Sequence, residues 1–112
     1  IADYGYIKPT NRSSLQSIKN NKFSEVLSNI GNQDITYHVN FNQLLLIAKK
    51  FGLKNINVST QSNFLQMNGI NIRAEQLMIS NPKLKNLIMD ELLRLTNPDK
   101  MGNLFKIFEA EY

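Results

Sequence analysis

An α/β fold is what this sequence predicts, on three observations. "NFNQLLLIAKKFG" (40–52) carries apolar residues at helical spacing, and one residue later "KNINVST" (54–60) alternates apolar with polar. A helix running straight into a strand is the grammar of α/β layers. The terminal "NLFKIFEAEY" (103–112) sets Phe105 and Ile107 on one side and Leu104, Phe108 and Ala110 on the other, so it reads as a strand apolar on both faces as far as Phe108.

In chain order, "IADYGYI" (1–7) reads as the end of a strand at Ile1–Ala2, followed by a turn at Tyr4-Gly5. "KPTNRSS" (8–14) has the Pro, Asn and Ser content of a surface loop, and residues 14–34 form a mixed segment closing on the Gly31-Asn32 turn signal. The first clear helix takes Asn40 as N-cap with Gln43 three residues on. It buries Phe41, Leu44, Leu45 and Ala48, and stops at Gly52. After the strand at 54–60, "QSNFLQMNG" (61–69) predicts a short helix capped by Thr60 and Gln61 and stopped by Gly69. "NIRAEQLMIS" (71–80) predicts a second, capped by Asn71. A third takes Asn81 as cap and Pro82 as first residue, with Leu84, Leu87, Ile88 and Leu92 on one stripe until "TNPDK" (96–100) ends it. Phe64, Leu65, Met67, Leu77 and Met78 are expected in the core. Two strands and a strand end are too few for an independent sheet, so the expectation is part of a larger one.

With 112 residues, 42% of them hydrophobic, there is material for one unit and not two. No run of eighteen apolar residues and no basic-then-apolar leader occurs, so no membrane partner is expected. The absence of Cys excludes a disulfide framework, a thiol nucleophile and Cys-based metal sites, and suits a reducing compartment, with the cytoplasm as default. His38 is the single histidine, which excludes a His-pair metal site. The net charge of +4 is spread over scattered Lys and Arg rather than a block, so a nucleic-acid partner ranks last among the readings.

Several blocks carry more than composition does. "DYGY" (3–6), "SLQS" (14–17), "DITYHVNF" (34–41), "STQSNFL" (59–65), "GINIRAEQL" (69–77) and "MGNLFKI" (101–107) resemble, in order and rough spacing, the MidA-like S-adenosylmethionine-dependent methyltransferases, a family that includes the mitochondrial complex I assembly factor. The resemblance implies a fold that is the C-terminal part of a Rossmann-like class I methyltransferase. Residues 1–2 would be the end of the family's strand 5, "NINVST" its strand 6, and "LFKIFEAE" its strand 7, running antiparallel to its neighbours. It also implies S-adenosylmethionine as cofactor of the complete enzyme, with the cofactor-binding residues in an N-terminal half outside this segment. The five glycines agree, because positions 5, 31, 52, 69 and 102 are too dispersed for a nucleotide-binding turn. The expected partners are that N-terminal half and a protein substrate, an arginine on a respiratory complex I subunit or a similar protein. The expected compartment is cytoplasmic, or the mitochondrial matrix in eukaryotic relatives.

The candidate catalytic residues are Asp34 and His38, which match the family's "DxTxHV" motif. His38 would orient or deprotonate the methyl acceptor, histidine being the usual general base near neutral pH; the bland alternative is a loop lock, with Asp34 and Thr36 satisfying backbone donors. Asp3, Tyr4, Tyr6 and Thr36 are the candidate substrate-pocket residues. Asp3 would sit at the carboxyl end of a strand, where ligands gather in open α/β sheets, or else accept a hydrogen bond from the Tyr4-Gly5 turn. An arginine acceptor needs carboxylates, for which Asp3 and Asp34 are the candidates. Where the family usually carries Asp after "HV", this chain has Asn40, and Asn21 stands where relatives often carry His. The segment by itself is expected to be inactive and not to bind the cofactor. A partner-binding module without catalysis is the alternative.

Overall fold

The computed structural model describes residues 1–8, 10–11 and 13–112. Pro9 and Arg12, on which part of the predicted 8–14 loop rests, lie outside the described residues. Eleven regular elements follow one another: β1 (Ala2–Tyr6), β2 (Gln16–Lys19), β3 (Lys22–Ser24), β4 (Asp34–Thr36), β5 (Val39–Asn40), α1 (Phe41–Lys50), β6 (Lys54–Thr60), α2 (Gln61–Met67), α3 (Ile70–Ser80), α4 (Lys85–Thr96) and β7 (Phe105–Glu111). They make two sheets. The larger has the order β5-β1-β7-β6, with β7 antiparallel to both β1 and β6 and β5 parallel to β1. This is the α/β arrangement the resemblance implies, with the terminal strand inserted antiparallel between two others. The smaller sheet, β3-β2-β4, is antiparallel and was not foreseen.

β1 is longer than expected. The strand does not end at Ala2, because Ala2, Asp3 and Tyr4 pair with β7, and Gly5 and Tyr6 pair with β5. Gly5 is therefore a strand residue and not a turn residue. A Cβ there would lie 2.6 Å from the Phe41 ring, so glycine is what lets α1 lie against the sheet. Phe41, fully buried, anchors the small core with Ala48 and Phe108, and Val39, Leu44, Leu45 and Val58 pack around them.

Caps account for most helix boundaries. Asn40 Oδ1 accepts from the Gln43 backbone N–H at 3.2 Å, and Thr60 Oγ1 does the same for Asn63 at 3.2 Å, both as the sequence suggests. Asn71 and Asn81 do not cap as predicted. Gly69, at φ +81°, turns α2 directly into α3, which starts at Ile70 and leaves Asn71 inside the first turn. Asn81 looks backwards, its Nδ2 donating to the Leu77 carbonyl at the end of α3. Pro82–Leu84 then form a 3₁₀ turn before α4 begins at Lys85. Met67, expected in the core, is 86% exposed, because α2 turns only its other side to the sheet and to α4. Phe64, Leu65, Leu77 and Met78 are half-buried.

Candidate functional site

The alternation of side chains along β1 sorts the candidate residues. Gly5 faces α1, and Asp3, two residues away, shares that face. Tyr4 and Tyr6 project from the opposite one. There the Tyr4 ring packs on Phe105 of β7, centroids 4.6 Å apart at 45°, and lies 6.4 Å from the His38 ring. His38 is delivered to this place by the connection from β4 to β5, which crosses from the small sheet to the large one. Its backbone N–H donates to Ser14 Oγ at 3.0 Å, so residue 14 pins the crossing.

Two cavities flank His38. One, of about 490 Å³, is walled by Tyr6, Ser13, Ser14, Leu15 and Gln16 with His38; the other, of about 270 Å³, by Tyr4, Gln16, Thr36, Tyr37 and Leu104 with His38. Of the predicted site residues, then, the fold gathers Tyr4, Tyr6, Thr36 and His38. Asp3 stands apart on the α1 face, where its Oδ1 accepts from the Tyr4 backbone N–H at 2.8 Å. Asp34 is exposed at the start of β4 and lines neither cavity. Neither cavity is lined by a carboxylate, lysine or arginine among the described residues.

The interior polarity is instead neutral. Thr36 Oγ1 is buried and has no hydrogen-bond partner among the described residues. A buried hydroxyl left in that state is costly, and it marks a place where a polar group of a ligand or a water would be held. Tyr6 hydrogen-bonds Tyr37, which together with partial burial raises the Tyr6 phenol above its ordinary value of 10.0. Near neutral pH it is an O–H group and not a phenolate. Among the described residues, no three of His, Cys, Asp and Glu come together to hold a metal ion, and no helix is long and apolar enough to cross a membrane.

Gln16, Tyr37 and Leu104 line the cavities without having been singled out from the sequence. Part of the signal for Gln16 lies in the sequence, and none for Tyr37 does. "SIKNNKF" is a pair of short strands around Asn20-Asn21, both with positive φ, and this two-residue turn is a hairpin signature. The hairpin puts Gln16 at the start of β2, while its pairing with Thr36 comes from β4, outside the hairpin.

Comparisons with known proteins agree with this fold. A family model described as "Putative S-adenosyl-L-methionine-dependent methyltransferase" matches residues 1–59. The protein arginine methyltransferase NDUFAF7, mitochondrial, of Danio rerio is 31% identical over 111 residues, covering 98% of this chain and 26% of the relative. The Xenopus tropicalis protein of the same name is 32% identical over 112 residues, with the same coverage. The chain thus spans about a quarter of the length of these relatives. A COG1565 superfamily protein from Burkholderia thailandensis superposes with a TM-score of 0.86 at 22% identity, covering 99% of this chain and 32% of that one. A second COG1565 member from the same organism, bound to S-adenosyl-homocysteine, gives 0.83 at 21%, covering 99% and 30%. The glycines present here do not form a nucleotide-binding turn for such a cofactor. Gly31, Gly52 and Gly69, the glycines with positive φ, sit at three separate turns. Gly5 and Gly102 are packed against Phe41 and the Asn97 carbonyl, so the five glycines form no clustered turn of the kind that cradles a nucleotide.

Proposed function

The chain belongs to the MidA-like family of S-adenosylmethionine-dependent methyltransferases, and from that premise we propose that it is the acceptor-side part of such an enzyme, acting on arginine in a protein. The single observation that carries the reading is the convergence of Tyr4, Tyr6, Thr36 and His38 on two adjoining cavities at the join of the two sheets. The arginine acceptor is taken from the name the relatives carry, and a respiratory complex I subunit or similar protein as its carrier from the family resemblance. The cofactor is assigned to a partner, the N-terminal half of the domain, because the glycines here form no nucleotide-binding turn.

In this reading the chain positions the acceptor and receives its proton. Stacking on Tyr4 and enclosure by Tyr6 and Tyr37 hold a planar side-chain group, and orientation of this kind is a major part of catalysis between two bound reactants. The His38 imidazole is the base that takes the proton released as the acceptor nitrogen is alkylated. The relatives named above are mitochondrial; for this chain we assign the cytoplasm, on its Cys-free sequence.

The test is reassembly. The chain is mixed with the N-terminal portion of a MidA-like relative, and methyl transfer to an arginine peptide is followed by mass spectrometry. Transfer is expected only from the mixture, falling roughly a hundredfold or more with His38→Ala, the size of a lost general base. Calorimetry with this chain alone is expected to show no S-adenosylmethionine binding, and micromolar binding would overturn the division of labour. A stable complex without transfer would favour a non-catalytic partner module, a reading also supported by the exposed apolar residues Phe51, Leu46 and Ile72.

A further inference from the structure

Gln16 and Thr36 face one another across the β2–β4 ladder, a register that brings the two side chains within reach of a common ligand. Both line the smaller cavity beside His38, beneath the Tyr4 ring. Thr36 Oγ1 is buried without a partner, and the Gln16 carboxamide makes no hydrogen bond among the described residues. Two adjacent neutral polar groups are therefore free to serve something flat lying against Tyr4, in a cavity with no carboxylate in its described lining.

We propose that Gln16 and Thr36 form a neutral hydrogen-bonding clamp that reads the N–H edge of a planar acceptor group, so that the cavity recognises shape and donors and not charge. The proposal rests on the acceptor-side reading above and adds its specificity residues. Threonine hydroxyl and glutamine carbonyl oxygens each accept from an N–H, and the Tyr4 face covers the plane of the group. A carboxylate clamp would favour a guanidinium over its uncharged isostere; this pair supplies no counter-charge and holds the uncharged group at least as well. The class of ligand is thus a guanidino or ureido side chain, the head group of arginine or citrulline.

Binding of Nα-acetyl-arginine amide and Nα-acetyl-citrulline amide to the whole chain, followed by NMR, tests this without any cofactor. Both are expected to shift the Gln16 side-chain amide and His38 ring signals, with the citrulline compound bound at least as tightly as the arginine one, where a carboxylate clamp would favour arginine by roughly tenfold or more. Nα-acetyl-norleucine amide should shift neither. Thr36→Val and Gln16→Leu should each weaken binding by roughly two- to tenfold, and Thr36→Ser should retain it, which separates loss of the hydroxyl from loss of the fold. Binding of arginine but not citrulline, equal binding of norleucine, or wild-type binding by both variants overturns the clamp. Its failure is distinguishable from failure of the methyltransferase reading. Transfer by the reassembled enzyme that is unaffected by Thr36→Val removes the clamp alone, whereas binding here without any transfer removes the enzyme reading alone.

Discussion

Tyr6 and Lys106, on the neighbouring strands β1 and β7, respond to alkaline pH in opposite senses. The Tyr6 phenol is raised above 10.0, first by its hydrogen bond to Tyr37. Between 10.0 and its folded value the native state keeps a proton that the unfolded chain has lost, so its contribution is complete below pH 10.0 and disappears above. Burial lowers the Lys106 ammonium from 10.5, so there the unfolded chain holds the extra proton and stability rises with pH through that window. Tyr6→Phe should therefore flatten the alkaline loss of stability, and Lys106→Met should relieve a neutral-pH cost that vanishes above about pH 10.5, both read from urea midpoints across pH 7 to 11. Asp3 shows what single residues conceal in a sequence. Neighbouring positions of a strand face opposite ways, yet Asp3, Tyr4 and Tyr6 were grouped by proximity in "DYGY". The strand's extent was the missing fact, since a strand ending at Ala2 imposes no alternation on residues 3–6.

At the scale of elements, α1 was the most legible part, because cap, periodicity and stop all agree. Its first residue is also its most sensitive. Phe41 is wholly buried under Gly5 and beside Phe108, so Phe41→Ala should cost about 3–5 kcal/mol, measured by chemical unfolding, while Gly5→Ala should destabilise comparably by driving a methyl into the same ring. The cap offers a finer probe. Asn40→Ala should cost about 1 kcal/mol, whereas Asn40→Asp keeps the acceptor, adds charge at the positive end of the helix and should gain about 0.3–1 kcal/mol. What was not legible were short strands. β3, β4 and β5 are two or three residues long, below any periodicity window, and their pairing is fixed by partners distant in sequence. That is why the join of the two sheets, and hence the company His38 keeps, had to come from the structure. The two misassigned caps have a similar origin, since Asn caps either end of a helix, and only the left-handed Gly69 decides which way the chain turns.

Across the whole molecule, the radius of gyration is 17.8 Å, against about 13 Å for a compact domain of this length. The difference is visible as uncovered apolar surface. Ile1, Ile47, Phe51 and Tyr112 edge a cleft of about 440 Å³ beside α1, and residues 2–4 of β1 pair with β7 on one side while β5 reaches only Gly5 and Tyr6 on the other. An unpaired strand flank next to an apolar cleft is the form a sheet takes where a further strand and helix pack. If the N-terminal half supplies them, the chain alone should bind a hydrophobic dye such as ANS, and adding that half from a relative should quench the dye signal and raise the unfolding midpoint. At a partner concentration a hundred times the dissociation constant the gain is about 2.7 kcal/mol. Phe51→Asp sharpens the test because that side chain is 76% exposed. It should change the chain's own stability by no more than about 0.5 kcal/mol yet abolish the gain from the partner, since a carboxylate would then be buried without a counter-charge. An undiminished gain with Phe51→Asp would place the docking surface elsewhere, and an unquenched dye signal on mixing would remove the partner altogether.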